Sequence, residues 1–332
     1  MFDIPIVLLM FKREKIVQII DRLREVKPQK VYLICDGGRN ENEWNQVNKC
    51  RELAEKAIDW KCTVIKNYAD HNRGVYGNIG EGAKWVFSQE KWAIFLEDDN
   101  LPEVTFFRFC KEMLEKYEND NRVLWVCGTN YLERYNPIEE VSYCFTKHLL
   151  PCGWASWASK FLSMYDGELK GCEDPRILRN IGTQYIFKSL YRQYRSEWMN
   201  EYNRHKQGKR FISWDMQMDF SLKANSVYGI CPVVNQIENI GVDEASIHGG
   251  SSKKDVMTQR FCGMRSHELE FPLIHPSTVM IDEDFEKKIG KIILRPWPLR
   301  IKSWLNHYIR IILKVPDGVT TKKYIKNSLR SK

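Results

Sequence analysis

The chain lacks the features of a secreted or membrane-spanning protein. No basic segment precedes an apolar stretch at its start, and the early apolar run over residues 4–11 is far shorter than the roughly 20 residues that cross a bilayer. None of its ten cysteines belongs to a C-x-x-C pair. We therefore expect a protein of the reducing cytosol whose thiols fill the core, with neither a disulfide framework nor a zinc cluster.

Two common phosphate-binding motifs are also missing. Where a G-x-G-x-x-G motif would follow the first predicted strand, residues 11–14 read F-K-R-E, and no Walker motif occurs anywhere in the sequence. A nucleotide bound by this chain would therefore be held by a metal ion and by side chains, not by a glycine-rich loop.

Positive charge is scarce except at the C-terminus. The 332-residue chain has a net charge of +8, but residues 291–332 contain eleven Lys or Arg and one acid, so the rest is slightly acidic. With 43% hydrophobic residues, the chain is long enough for one large domain or two modest ones. The acidic body argues against a nucleic-acid-binding protein.

Strands and helices alternate over the first 130 residues. Apolar runs predict strands, and stretches with apolar residues three and four apart predict the helices between them. The predicted strands are residues 5–11, 31–35, 62–65, 92–97 and 123–128. This order predicts an α/β fold with a doubly wound, mostly parallel sheet of the Rossmann-like kind. Asp36 follows the second strand, and a polar loop is expected over residues 67–77.

Three consecutive carboxylates, Glu97, Asp98 and Asp99, follow the apolar run 92–96. Open α/β sheets bind ligands at the carboxyl ends of their strands. Because adjacent carboxylates repel one another, the cluster favours Mg²⁺ or Mn²⁺ shared with a diphosphate. The alternative is helix capping from Asn100, since acids near a helix N-terminus are common.

Three other features have both a structural and a functional interpretation. Trp154 and Trp157 either pack in the core or offer a platform for a sugar ring. Asp215, directly after Trp214, is either an N-cap of a helix over residues 216–224 or a reactive carboxylate. His248 lies in a predicted loop, as a solvated side chain or as a ligand.

The C-terminal tail is both basic and amphipathic. Its apolar residues fall on one helical stripe: Ile301, Trp304, Leu305, Tyr308, Ile309 and Ile312. Basic residues occupy the other side. This pattern is typical of a helix that lies on an anionic membrane leaflet. A docked terminal helix and a nucleic-acid-binding patch are the alternatives.

Five motifs in this order resemble the GT-A-fold glycosyltransferases. They are N-R-G at 72–74, L-E-D-D at 96–99, G-W-A-S-W at 153–157, W-D-x-Q at 214–217, and N-I-G at 239–241 leading to His248. The closer likeness is to bacterial nucleotide-diphospho-sugar transferases described as haemolysin-like HlpA proteins. A more distant one is to the N-acetylglucosaminyltransferase I family. The likeness spans about residues 3–250.

The resemblance implies roles for the acidic residues. GT-A enzymes hold a divalent cation, Mn²⁺ or Mg²⁺, on the donor diphosphate. By position, Asp99 is the metal ligand, Asp98 faces the nucleotide and Glu97 assists. Asp215 resembles the catalytic base of the N-acetylglucosaminyltransferase family. His248 is placed like a histidine that touches the metal or the diphosphate.

The resemblance also implies the nucleotide-sugar contacts. Arg13 and Asp36 resemble a uracil-binding pair, and Asn78 would close the nucleotide pocket. The full set of expected contacts outside the acidic motif is Arg13, Asp36, Asn72, Arg73, Asn78 and Trp154.

We expect four segments in the chain. Residues 1–130 would form the nucleotide-sugar-binding half of the GT-A domain and residues 131–255 the acceptor half. Residues 256–290 would link them to the membrane-associating tail, residues 291–332.

The implied activity is a metal-dependent, inverting transfer of sugar from a nucleotide-sugar, UDP-linked by the analogy above. The acceptor would be a glycan or a lipid carrier in bacterial surface polysaccharide synthesis, such as capsule or lipopolysaccharide, at the cytoplasmic face of the inner membrane. The alternatives are a sugar-phosphate nucleotidyltransferase and a catalytically inactive, metal-dependent carbohydrate-binding protein at the membrane surface.

Overall fold

Apolar strands buried on both faces form the centre of the first of two units, Met1–Lys291 and Ile292–Lys332. The structure, a computed structural model, describes residues 2–241, 262–315 and 321–330. The first unit opens with β1 (Ile6–Met10), α1 (Ile16–Val26), β2 (Lys30–Cys35), α2 (Glu41–Ala57), β3 (Thr63–Tyr68), α3 (Gly74–Phe87) and β4 (Trp92–Glu97). The alternation predicted for this region is present.

The chain continues through elements that the sequence analysis predicted less completely. They are β5 (Asn100–Pro102), α4 (Val104–Lys116), β6 (Val123–Cys127), β7 (Tyr143–Thr146), β8 (Trp154–Trp157), α5 (Ala158–Met164), α6 (Pro175–Thr183), α7 (Lys188–Lys206), α8 (Asp215–Ala224), β9 (Tyr228–Pro232), β10 (Ile237–Asn239) and α9 (Glu283–Ile293).

Eight of these strands make one sheet in the order β3-β2-β1-β4-β8-β6-β9-β7. The first four are parallel, so their carboxyl ends meet at one edge. Strand β8 is antiparallel to both of its neighbours, β4 and β6. The predicted α/β fold with a mostly parallel central sheet is confirmed. Strands β5 and β10 form a separate antiparallel ribbon.

The region predicted as a loop over residues 67–77 is shorter than expected. Strand β3 continues to Tyr68, and α3 already begins at Gly74. The carboxylate of Asp36, far away in sequence, accepts hydrogen bonds from the backbone N–H groups of Arg73 and Gly74. Because this carboxylate satisfies N–H groups at the start of α3, the helix needs no local capping residue.

The capping alternative for the acid cluster is wrong. Asn100 pairs with Asn239 in the β5–β10 ribbon, and its Oδ1 accepts a hydrogen bond from the backbone of Gly153 at 2.9 Å. Helix α4 begins after Glu103 without a side-chain cap. Capping of the N-terminus of α4 therefore does not explain the three carboxylates.

The second unit contains two helices, α10 (Trp297–Ile312) and α11 (Thr321–Arg330). Trp304 and Tyr308 contact each other edge to face on α10, with ring centroids 4.6 Å apart. Among the described helices, none is long and apolar enough to cross a membrane.

Candidate functional site

A cavity of about 850 Å³ opens where β1, β2 and β4 end. The starts of α3 and α8 and one face of α7 complete its walls. The structure brings eight predicted site residues to this one cavity: Arg13, Asp36, Asn72, Asn78, Glu97, Asp98, Asp99 and Asp215. Such a position at the carboxyl edge of a parallel sheet is the usual ligand site of α/β folds.

Arg13 bridges two residues of the acid cluster. Its Nη1 donates to Asp98 Oδ1 and to Asp99 Oδ2, each at 2.8 Å. The backbone N–H of Phe11 donates to the other oxygen of Asp98 at 2.9 Å, and Asn100 Nδ2 donates to Asp99 Oδ1 at 2.7 Å. Both aspartates are therefore held in place by donors from the segment after β1 and from β5.

Glu97 receives less compensation than the two aspartates. Burial raises its pKa well above the ordinary range, and the charges of Asp99, Asp98 and Asp215 raise it further, while Arg13 lowers it. The raised pKa of Glu97 thus reflects a crowding of carboxyl groups that Arg13 only partly offsets.

The turn after β10 supports the cluster from behind. The backbone N–H of Ile240 donates to the carbonyl of Asp99 at 2.9 Å, and Lys15 Nζ donates to the carbonyl of Ile240 at 2.8 Å. A Cβ added at Gly241 would lie 2.3 Å from Asp99 Oδ2. The glycine of the N-I-G motif is therefore needed for the close approach of this turn to Asp99.

Asp36 is saturated by the protein itself. Its Oδ1 accepts from the N–H groups of Gly37 at 2.8 Å and Arg73 at 2.6 Å, and its Oδ2 accepts from Asn72 Nδ2 and the N–H of Gly74, both at 3.0 Å. With four hydrogen bonds, this carboxylate anchors the turn before α3. A uracil contact by Asp36 would have to displace one of them.

Arg73 and Asn78 tie the same turn to the sheet. Arg73 Nη2 donates to Asn78 Oδ1 and Nη1 donates to Asn67 Oδ1, both at 2.9 Å, and Asn78 Nδ2 donates to the carbonyl of Met10 at 3.2 Å. Arg73 lines a neighbouring cavity. These two side chains shape the pocket, and their polar groups are largely used within the protein.

Asp215 is the first residue of α8, and Trp214 holds the N-cap position. The N-cap interpretation of Asp215 is therefore wrong. Asp215 lines the cavity with the acid cluster, and its charge contributes to the raised pKa of Glu97. The structure thus places the carboxylate of Asp215 in the same cavity as the cluster of Glu97, Asp98 and Asp99.

Trp154 is not available as a sugar platform, which corrects the prediction made for it. Its side chain is only 1% exposed, and its ring stacks on Phe95 at 3.9 Å and on Trp125 at 4.3 Å between centroids. The W-A-S-W segment is the buried strand β8, so packing is the correct interpretation for both of its tryptophans. His248 lies outside the described residues.

Sequence reasoning missed one wall of the cavity, which α7 supplies through Glu197, Asn200 and Glu201. Glu201 accepts a hydrogen bond from the backbone of Ile212 at 2.9 Å, which holds the segment before α8. The only available signal was the four-residue spacing of the two glutamates, which puts them on one helical face.

The described lining is strongly negative, with seven carboxylates and two guanidinium groups. In the part of the chain that the structure describes, no three His, Cys, Asp or Glu side chains are placed so that they could hold a metal ion together. Mg²⁺ does not require such a group, because it is commonly held by one or two carboxylates together with substrate phosphates and water. The all-oxygen donor set and the excess of negative charge fit such an ion.

No protein-family model and no curated protein matches the chain. Several solved structures are similar to the chain, at low sequence identity and low TM-score. UDP-glucose pyrophosphorylase is 8% identical over 71% of this chain and 93% of its own, with a TM-score of 0.37. The 4-diphosphocytidyl-2C-methyl-D-erythritol synthase from Anaerococcus prevotii is 11% identical over 51% of this chain and 78% of its own, with a TM-score of 0.32. The mannose-1-phosphate geranyltransferase from Thermus thermophilus is 11% identical over 72% of this chain and 76% of its own, with a TM-score of 0.38. None of these names is that of a glycosyltransferase, and likenesses this low assign no activity to the chain.

Proposed function

We propose that the chain is a metal-dependent, inverting glycosyltransferase that uses a nucleotide-sugar, preferably a UDP-sugar. One observation carries the proposal: Asp215 lines the same cavity as the cluster Glu97, Asp98 and Asp99. Transfer of a sugar needs one group of residues for the donor diphosphate and a separate base for the acceptor, and this pairing supplies both.

The charge of the cavity supports the metal dependence. A diphosphate is an anion, and a wall with seven carboxylates against two guanidinium groups would repel it. Asp99 and its neighbours would hold Mn²⁺ or Mg²⁺. The bound ion supplies electrostatic stabilisation of the departing nucleoside diphosphate.

Asp215 performs the proton transfer. Its carboxylate accepts the proton of the acceptor hydroxyl, whose oxygen forms a bond to the anomeric carbon. The bond from that carbon to the diphosphate breaks on the opposite face, so the configuration inverts. The nucleoside diphosphate leaves with the bonding electrons.

The acceptor is proposed to be a glycan on a lipid carrier of bacterial surface polysaccharide synthesis. The basic, amphipathic pattern of α10 supports this, because such helices lie on anionic leaflets. The protein would then work at the cytoplasmic face of the inner membrane.

The test compares Asp215→Asn with the unchanged protein. We expect kcat to fall by about 10²–10⁴-fold, the usual contribution of a positioned base, while UDP binding in Mn²⁺ is retained. Asp99→Ala is expected to abolish the metal-dependent part of UDP binding. Asp21→Asn, at an exposed position on α1, is the control. Turnover of Asp215→Asn at the parental rate would contradict the proposal.

The products separate this activity from the two alternatives. A glycosyltransferase incubated with a UDP-sugar slowly releases UDP and free sugar. A nucleotidyltransferase instead needs pyrophosphate and releases UTP and a sugar 1-phosphate. An inactive binding protein releases neither.

A further inference from the structure

A second cavity of about 590 Å³ lies beside the first, along the face of α3 that carries Gly77, Glu81 and Trp85. The segment from His205 to Phe211 forms its other side. Nothing in the proposed reaction uses it. Its size falls within the range of small-molecule sites, and Phe211 lines both cavities, so the two are adjacent.

Aromatic rings form much of this second cavity. The rings of Tyr76 and Phe211 lie 4.8 Å apart, and His205 stacks on Phe211 at 4.6 Å. Trp85, half-buried, meets the ring of Tyr32 edge to face. Gly77 lies on the same face of α3, where an added Cβ would meet only Arg73 Cβ, at 3.0 Å.

The charged groups of the second cavity nearly balance. Glu81 and Glu168 line it together with Arg73 and Arg210, in contrast to the first cavity with its seven carboxyl groups. Glu81 accepts a hydrogen bond from Tyr76 Oη at 2.8 Å. Aromatic surface combined with hydrogen-bonding groups of both signs suits a neutral ligand rich in hydroxyl groups.

One hydrogen bond fixes the boundary between the cavities. Arg210 Nη1 donates to the backbone carbonyl of Asn72 at 2.7 Å, which holds the segment before α8 against the turn before α3. The same segment leads through Phe211 to Asp215. A chain of linked sugars in the second cavity would therefore be directed along Phe211 toward the base.

We propose that the second cavity binds a neutral saccharide unit of the acceptor, beyond the sugar that carries the reacting hydroxyl. This assignment rests on the proposed function. On this assignment, at least one saccharide unit of the acceptor glycan is uncharged, and Trp85 and Tyr76 recognise that unit.

The experiment measures binding of free N-acetylglucosamine, galactose, cellobiose and chitobiose to the full chain by ligand-observed NMR. Trp85→Ala is expected to weaken binding by about tenfold, the loss of one aromatic contact, while Trp85→Phe retains it. Gly77→Leu, which fills the groove without removing a ring, should also block binding. The Gly77→Leu variant tests the assignment if Trp85→Ala fails to fold.

Two results would overturn the assignment. One is that none of the four saccharides binds, and the other is that folded Trp85→Ala or Gly77→Leu binds them as well as the unchanged protein. Binding of UDP with Mn²⁺ is measured on the same samples. If the unchanged protein does not bind UDP with Mn²⁺, the proposed function is contradicted. If it binds UDP but no saccharide, only the assignment of the second cavity is contradicted.

Discussion

In the proposed reaction, a divalent cation at Asp99 would compete with Arg13 for the same carboxylate oxygens. Each hydrogen bond between a charged donor and acceptor contributes roughly 1.5–3 kcal/mol, and Arg13 makes two, to Asp98 and Asp99. A cation that binds alone must displace this guanidinium. When a diphosphate arrives with the cation, its oxygens give the guanidinium a new partner. We therefore expect metal and nucleotide to bind together.

Substitution of Arg13 by Gln tests this competition. Mn²⁺ alone, followed by electron paramagnetic resonance, is expected to bind about tenfold more tightly, because one displaced charged hydrogen bond corresponds to at least that factor. UDP binding in Mn²⁺ is expected to weaken. Arg22→Gln, on the exposed face of α1, is the control. Unchanged Mn²⁺ affinity in Arg13→Gln would exclude the competition.

Substitution of Gly241 is expected to weaken metal-dependent binding, in contrast to the tighter Mn²⁺ binding expected for Arg13→Gln. In Gly241→Ala the new Cβ meets Asp99 Oδ2 at 2.3 Å, so the carboxylate must move. Substitution of a residue that positions a metal ligand typically costs about 10–100-fold in metal affinity, and we expect a loss of that size in Mn²⁺-dependent UDP binding. The control is Gly229→Ala, where the nearest atom lies at 3.6 Å. Equal binding by both variants would show that Gly241 does not position Asp99.

Sequence reasoning found the acid cluster because its residues are adjacent and follow an apolar strand. It misjudged Trp154, whose burial depends on Phe95 and Trp125 in neighbouring strands. The saturation of Asp36 by the turn before α3 was equally invisible, because that contact joins residues more than thirty positions apart.

At the scale of elements, the strands and helices up to β6, with the exception of β5, were predictable from hydrophobic periodicity. The start of α3 was not, since a distant carboxylate caps it. The short strands β5, β7, β8 and β10 also escaped detection. Each has only three or four residues, too few for a periodic pattern, and their pairing partners decide whether they form.

Helix α9 packs against the sheet through a buried, titratable contact. His148 Nε2 lies 3.1 Å from the carbonyl oxygen of Glu286 and 3.3 Å from its Oε1. Burial and, to a smaller extent, the charge of Lys223 lower the pKa of His148 to about 4, against the opposing charge of Glu286. Between about pH 4 and the ordinary value near 6.5, the unfolded chain therefore binds more protons than the folded one.

The stability that His148 contributes is therefore complete above pH 6.5 and is lost as the pH falls toward 4. Between pH 7 and pH 5, the free energy of unfolding should fall by about 2 kcal/mol more in the unchanged protein than in His148→Gln. Urea denaturation at the two pH values measures this. His71→Gln, at an exposed histidine, should behave like the unchanged protein. Identical pH dependence in His148→Gln would refute the assignment.

At the scale of the whole molecule, charge separates the two units. The excess of Lys and Arg lies in residues 291–332, while the first unit carries the negative cavity. An anionic membrane would attract the tail and not the cavity. This separation gives the proposed membrane contact a direct test.

Reversal of two charges on α10, Lys302→Glu with Arg310→Glu, is expected to weaken binding to phosphatidylserine-containing vesicles by at least about tenfold, since each basic residue contributes roughly 1 kcal/mol. The control reverses Lys56 and Lys61, both exposed in the first unit. Co-sedimentation with vesicles measures the effect. Equal binding by both double variants would exclude α10 as the membrane contact.

The place of β8 between β4 and β6 has a consequence for biosynthesis. A ribosome delivers β6 before either of its sheet neighbours, β8 and β9, has been made, and β4 waits with one edge open. Unpaired apolar edges invite aggregation. The nascent chain therefore passes through a vulnerable interval that ends only when β9 emerges, and chaperones that cover strand edges should matter most to this protein during that interval.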